Sequence, residues 1–83
     1  MPQNVWNLNP REVDVLACLV TGKSNREIAA ELNISISTVK AHLSSLYQKL
    51  GVSSRLQASV VGLRILPMVQ PTPAHGTGSA GLV

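Results

Sequence analysis

The feature that most constrains the fold is a set of four segments that each carry the start signal of an α-helix. In the first, Asn9 can cap a helix N-terminus, and Glu12 can return a hydrogen bond to it, a pairing known as a capping box. Further caps are predicted at Ser24, Ser35 and Ser54. Each cap precedes apolar residues at helical spacing, and no segment alternates as a β-strand does. The pattern therefore predicts an all-α fold with helices at about 10–21, 25–32, 36–50 and 55–66.

The second and third predicted helices are joined by a very short turn. Only Asn33 and Ile34 lie between them and the third cap, and Asn tolerates the left-handed conformation in which helices often end. Two helices joined this tightly form a helix-turn-helix. We therefore expect a four-helix bundle containing this motif at residues 8–66, with a flexible N-terminus at 1–7. Residues 67–83 are rich in Pro and Gly without apolar periodicity, which predicts a disordered tail.

The third predicted helix has one apolar face and one polar face. Its inward stripe follows helical spacing and consists of Val39, Leu43, Leu46 and Leu50. The opposite face is short-chained, contains one lysine and no acid, and consists of Ser37, Lys40, Ala41, Ser44 and Gln48. Small side chains around one cation suit a helix that enters a groove of DNA.

Charge is distributed unevenly along the chain. The net charge is +3, yet residues 33–83 contain Lys40, Lys49, Arg55 and Arg64 and no acid. A basic stretch without acids suits a polyanionic partner, because nothing in it repels phosphate. On charge alone, a modestly basic solvated face is an equally good interpretation.

Several classes of function are disfavoured by what the sequence lacks. One cysteine, Cys18, and two histidines cannot assemble a metal site, so we expect no metal and no cofactor. Glu12 and Glu27 are assigned to caps, which leaves no carboxylate pair for acid–base catalysis, and we expect no enzyme. No apolar run approaches the roughly 20 residues of a membrane span, and no signal sequence is visible. We expect a cytoplasmic chain with no membrane and no small-molecule partner.

Several motifs, in order and at the right spacing, resemble the LuxR-type helix-turn-helix domain. Residues 8–12 (LNPRE) resemble its opening, and residues 24–29 (SNREIA) resemble a later segment. Residues 34–43 (ISISTVKAHL) and 49–52 (KLGV) resemble its third helix and the turn that follows. The resemblance covers residues 8 to about 66.

The resemblance implies a DNA-binding domain for transcriptional regulation, usually the output end of a response regulator or a quorum sensor. In that family the third helix enters the major groove of double-stranded DNA and the fourth commonly supplies the dimer contact, with RNA polymerase as a further candidate partner. Two alternatives remain at this point. One is a promoter-binding module like region four of sigma factors, which shares the first three helices. The other is a helical protein-interaction module.

Candidate DNA contacts lie on and around the third helix. Lys40 can reach guanine acceptors or a phosphate, and Ala41 can contact a thymine methyl group. Thr38 lies in the first turn, where a hydroxyl and backbone N–H groups can bind phosphate. Ser44 stands where relatives often have Lys or Arg. The predicted set is Lys40, Thr38, Ser37, Ala41, Ser44, Ser45, His42, Lys23, Asn25, Lys49 and Arg55.

The fourth helix predicts a homodimer. Its apolar residues cover more than one side, which is more apolar surface than one small core can bury. We expect the dimer seam to follow a stripe at i, i+3 and i+7, namely Ala58, Val61 and Ile65.

Overall fold

The computed structural model describes residues 7–69 and contains four α-helices joined by short turns. The helices are α1 (Pro10–Val20), α2 (Asn25–Leu32), α3 (Ile36–Leu50) and α4 (Arg55–Ile65). No strand occurs between residues 7 and 69, and the all-α prediction is confirmed. α1 and α4 each end one residue earlier than expected. The predicted flexible N-terminus, except Asn7, and the predicted tail beyond Val69 lie outside the described residues.

The start of each helix follows the chemistry expected from its cap. Asn9 Oδ1 accepts from the backbone N–H of Glu12 at 2.9 Å, and Glu12 Oε1 accepts from the N–H of Asn9 at 3.0 Å. Ser24 and Glu27 close a second capping box in the same way. Ser35 caps α3 by accepting from the backbone N–H three residues later. These caps satisfy backbone donors that have no partner inside a helix.

The cap at the start of α4 forms without the reciprocal bond of a capping box. Ser54 Oγ accepts from the backbone N–H of Gln57 at 3.1 Å, as predicted. The Gln57 side chain, however, accepts from the N–H of Ser53 at 2.9 Å and not from that of Ser54. The amide reaches one residue further back along the chain, so the cap remains while the reciprocal bond is displaced.

The turn between α2 and α3 has the predicted helix-turn-helix geometry. Asn33 adopts a left-handed conformation, with φ 58° and ψ 48°, and ends α2. The backbone N–H of Ile34 then donates to the carbonyl of Ala29 at 3.0 Å. A side chain at Asn33 is tolerated there because Asn occupies this region more readily than most residues. α3 therefore begins immediately after α2 ends.

The core lies where α1 packs against the other three helices. The predicted inward stripe of α3 is buried, and so are Leu16, Leu19 and Ile28 of α1 and α2. α4 packs tightly on α1 at Gly62, where an added Cβ would lie 2.7 Å from Val20 Cγ1 and 2.8 Å from Leu16 Cδ1. None of the helices in residues 7–69 is long and apolar enough to cross a membrane.

The packed domain extends past the end of α4. The chain makes a further turn in which the N–H groups of Met68 and Val69 donate to the carbonyl of Ile65 at 2.8 and 3.2 Å. This turn brings Val69 into the core, where its side chain is only 3% exposed. Val69, which the sequence predicts to belong to the tail, therefore packs with the domain.

Candidate nucleic-acid interface

The outer face of α3 is exposed along its length, as its sequence predicted. Its five residues, Ser37, Lys40, Ala41, Ser44 and Gln48, are all exposed, while the inward stripe on the other side of the helix is buried. Lys40 is the only charged residue on this face. It forms no hydrogen bond or ion pair with any residue in the described part of the chain. The face therefore presents an unneutralised cation among small side chains.

The N-terminus of α3 adjoins this face. Ser35 Oγ accepts from the backbone N–H of Thr38 at 3.0 Å, and the two hydroxyl oxygens lie 2.9 Å apart. Thr38 is half-buried and belongs to the cap, so its hydroxyl already has a partner. The backbone N–H groups of the first helical residues, Ile36 and Ser37, have no carbonyl partner within a helix. Such groups form a site for an anionic oxygen.

Three predicted residues from distant parts of the sequence meet at the N-terminus of α2. Arg55 donates to the Asn25 side-chain oxygen at 2.9 Å and to the backbone carbonyl of Lys23 at 2.7 Å. Lys23 also lies 3.6 Å from a carboxylate oxygen of Glu31, in a partly exposed ion pair. Because its guanidinium is shared between two acceptors, Arg55 ties the start of α4 to the start of α2.

Ser45 and Lys49 lie on a different side of α3 from the exposed face. Ser45 Oγ donates to Glu12 Oε2 at 2.6 Å, and Lys49 Nζ donates to Glu12 Oε1 at 2.9 Å. Lys49 Nζ also donates to the carbonyl of Asn7 at 3.2 Å. The structure thus assigns both side chains to a contact between α1 and α3, and they are not grouped with Lys40.

Glu12 makes contacts with α3 that the sequence did not reveal. Burial disfavours its charged form, but hydrogen bonds from Ser45, Lys49 and the Asn9 N–H, with the Lys49 charge, outweigh that effect. The pKa of Glu12 therefore lies below its ordinary value. Its partners on α3 are 33 and 37 residues away in sequence, so only its local capping role could be predicted.

Two other side chains that bear on function are His42 and Cys18. His42 is half-buried at the edge of the exposed face of α3. Cys18 is buried, and burial, followed by the charge of Glu31, raises the pKa of its thiol to about 11. Among the described residues no group of His, Cys, Asp and Glu could hold a metal ion.

The residues expected to form the dimer seam are packed inside the domain. Ala58 and Ile65 are buried in the core, and Val61 packs against it. α4 turns this stripe toward the core, so that of the three residues only the half-buried Val61 is partly accessible to a partner. The exposed apolar stripe of α4 is Leu56, Val60 and Leu63.

Comparison with known proteins places this architecture in a family. The family model GerE, described as bacterial regulatory proteins of the luxR family, matches residues 7–61. YhjB of Escherichia coli K12 is 49% identical over 59 residues, which is 71% of this chain and 30% of YhjB. The transcriptional regulatory protein LiaR of Bacillus subtilis 168 is 45% identical over 58 residues, 70% of this chain and 28% of LiaR.

A third relative is the HTH-type transcriptional regulator MalT of Yersinia pestis, 44% identical over 62 residues, which is 75% of this chain and 7% of MalT. The chain thus spans less than a third of each of these relatives. The family match extends from the first helix into the fourth. The chain therefore belongs to the luxR family of bacterial regulatory proteins, and its helix-turn-helix is a DNA-binding domain for the regulation of transcription.

Proposed function

We propose that the chain recognises a specific sequence of double-stranded DNA by placing α3 in the major groove. The observation that carries this proposal is the exposed, acid-free face of α3, with an unpaired Lys40 near its middle. Ser37, Ala41 and Ser44 flank Lys40 and are short enough to let the helix backbone approach base edges. The major groove is wide enough to admit an α-helix and displays a distinct pattern of donors, acceptors and methyl groups for each base pair.

Four residues of this face have a defined chemical role in the proposal. Lys40 donates to the O6 and N7 acceptors of a guanine, and Ala41 contacts the methyl group of a thymine. The hydroxyls of Ser37 and Ser44 can donate to base edges or to phosphate oxygens. Since Ser44 is uncharged, most of the electrostatic attraction on this face comes from Lys40.

Phosphate contacts would hold the helix in register. The free backbone N–H groups at the start of α3 are suited to one phosphate oxygen. Lys23, Asn25 and Arg55 form a second cluster at the start of α2, where Arg55 donates to the Asn25 side chain and to the backbone carbonyl of Lys23. Contacts of this kind orient a protein on DNA without reading its sequence.

We further propose that two copies pair through the exposed stripe of α4. Leu56 and Leu63 are 73% and 66% exposed, and Val60 lies between them on the same side of the helix. An apolar stripe of this size on a small domain is typical of an interaction surface. A two-fold dimer would present its α3 helices to half-sites about 10–10.5 base pairs apart.

The relatives support a proposal about the longer protein in which such a domain acts. Because the chain spans 30% of YhjB and 28% of LiaR, we propose that this domain serves as the output module of a longer regulator of the response-regulator type. Such a module acts in the bacterial cytoplasm and influences RNA polymerase at promoters.

Selection of duplexes from a randomised DNA pool by the 83-residue chain tests α3 docking. Lys40→Ala should weaken binding to the selected duplex by about 5- to 150-fold, equivalent to roughly 1–3 kcal/mol, and relax preference at one base pair per half-site. Folding stability should stay within about 0.5 kcal/mol, since Lys40 is a surface residue. Arg64→Ala, which removes an exposed charge at the end of α4, is the control. The proposal fails if Lys40→Ala binds selected and shuffled duplexes as wild type does.

The dimer seam is tested by Leu63→Ser, with Met68→Ser as control because Met68 is an exposed apolar residue outside α4. Sedimentation on a duplex with two half-sites should show that only Leu63→Ser loses cooperative binding. Equal cooperativity in both variants would place the seam elsewhere.

A further inference from the structure

The contact between α1 and α3 includes one buried carboxylate, that of Glu12. The Glu12 side chain is 2% exposed, and both of its oxygens are bonded. Oε1 accepts from the Asn9 N–H at 3.0 Å and from Lys49 Nζ at 2.9 Å, while Oε2 accepts from Ser45 Oγ at 2.6 Å. A capping box needs only the bond to Asn9. The two bonds to α3 therefore serve a purpose other than starting α1.

These two bonds fix the orientation of α3. Ser45 and Lys49 are four residues apart, so they lie one helical turn apart on the same side of the helix. Two anchor points on one carboxylate resist both rotation of α3 about its axis and sliding along it. Ser44, on the exposed face of α3, directly precedes Ser45. Any rotation of α3 at the bonds to Glu12 therefore also turns the exposed face.

In the same contact, the positive charge of Lys49 is paired with the carboxylate of Glu12. Its ammonium group has two acceptors, the Glu12 carboxylate and the carbonyl of Asn7 at 3.2 Å. A cation paired with a buried acid contributes little to the neutralisation of a phosphate. Lys40, by contrast, has no partner in the described part of the chain, so its full positive charge is available to interact with DNA.

We propose that Glu12 is a positioning residue for DNA recognition, which holds α3 through Ser45 and Lys49 and keeps the Lys49 charge away from phosphate. This proposal rests on the proposed docking of α3 in DNA. Glu12 does not itself touch the nucleic acid. Its effect is to fix how Lys40 and Ser44 are presented.

The test compares Glu12→Gln with Glu27→Gln in the full chain. Glu27 holds the same position in the capping box of α2, but it is exposed and bonds only to Ser24 there. Glutamine can still serve in a capping box, so both variants lose one negative charge and keep the cap. Binding is measured on a duplex that wild type selects from a randomised pool and on a shuffled duplex, between about 50 and 200 mM salt.

Glu12→Gln should lower the ratio of selected to shuffled affinity at least fivefold, whereas Glu27→Gln should leave it unchanged. The freed Lys49 should also steepen the salt dependence by about 0.9 per domain, which is roughly a threefold larger loss of affinity over this range. Lys49→Met should leave the slope unchanged. A slope flatter by about 0.9 in Lys49→Met, or a ratio in Glu12→Gln equal to that of Glu27→Gln, would overturn the proposal.

Circular dichroism shows whether each variant folds. If Glu12→Gln unfolds, the double variant Glu12→Gln/Lys49→Met takes its place, because it removes both charges and leaves no buried ion without a partner. The double variant should still show the lowered ratio, and a wild-type ratio would overturn the proposal. If wild type selects no duplex from the pool, the proposed function itself fails, and that outcome does not depend on any variant.

Discussion

Val69 provides a direct test of where this domain ends. Its side chain is 3% exposed although it lies beyond the end of α4 at Ile65. Val69→Ala removes two methyl groups from the core, and at about 0.8 kcal/mol for each the transfer term is roughly 1.6 kcal/mol. The cavity left behind adds to this, so we expect a loss of about 2 kcal/mol in the free energy of unfolding. In a domain of this size that corresponds to a melting temperature lower by roughly 8–16 °C.

Met68→Ala is the matched control. Met68 precedes Val69 in the same turn, but its side chain is 54% exposed. Its truncation should change the free energy of unfolding by no more than about 0.5 kcal/mol. Urea denaturation followed by circular dichroism measures both variants. If Val69→Ala were no less stable than Met68→Ala, the turn after α4 would not close the core, and the assignment of Val69 to the domain would be refuted.

Three further predictions concern the interior. Gly62→Ala should lower the free energy of unfolding by about 1 kcal/mol. The cost of crowding against Leu16 and Val20 should exceed the roughly 1 kcal/mol gained in helix propensity. A variant more stable than wild type in urea would contradict this. The lowered pKa of Glu12 stabilises the fold above the ordinary carboxyl value of 4.5, and this contribution is lost as pH falls through the lower folded pKa. The stability difference between wild type and Glu12→Gln should therefore shrink as the pH is lowered into the acid range, and a difference that does not change with pH would disprove the assignment. Cys18, with a thiol pKa of about 11, should react with a thiol reagent at about pH 8 only once urea unfolds the chain, and immediate labelling would show that it is accessible.

Much of the fold could be predicted because its signals are local. A cap and its partner lie three residues apart, and Asn33 and Gly51 end their helices through their own backbone conformation. The helix bounds are consequently confirmed to within one residue. The two faces of α3 follow from a period of 3.6 residues, which needs no knowledge of the other helices.

Contacts between distant residues could not be predicted in this way. Nothing near Glu12 in the sequence indicates Ser45 or Lys49 as its partners. The hydroxyl of Ser45 and the charge of Lys49 are the only features that the sequence offers, and both predict a contact with DNA. Val69 gave no periodic signal, because one short turn after α4 suffices to bury it. In each case the position of a neighbouring helix decides the contact, and that position is a property of the whole bundle.

The side of α4 that faces the core could not be predicted from the sequence, and the reason bears on the role of this helix. Apolar residues occur on several of its sides, so periodicity could not decide which side faces the core. The side that α1 contacts carries the small residues Ala58 and Gly62 together with Ile65, since the close approach to α1 leaves no room at Gly62 for a side chain. The larger apolar residues Leu56, Val60 and Leu63 are thereby left outside. A domain stabilised only by its own core would gain from the opposite arrangement, so this distribution favours a second apolar surface that covers the outer stripe.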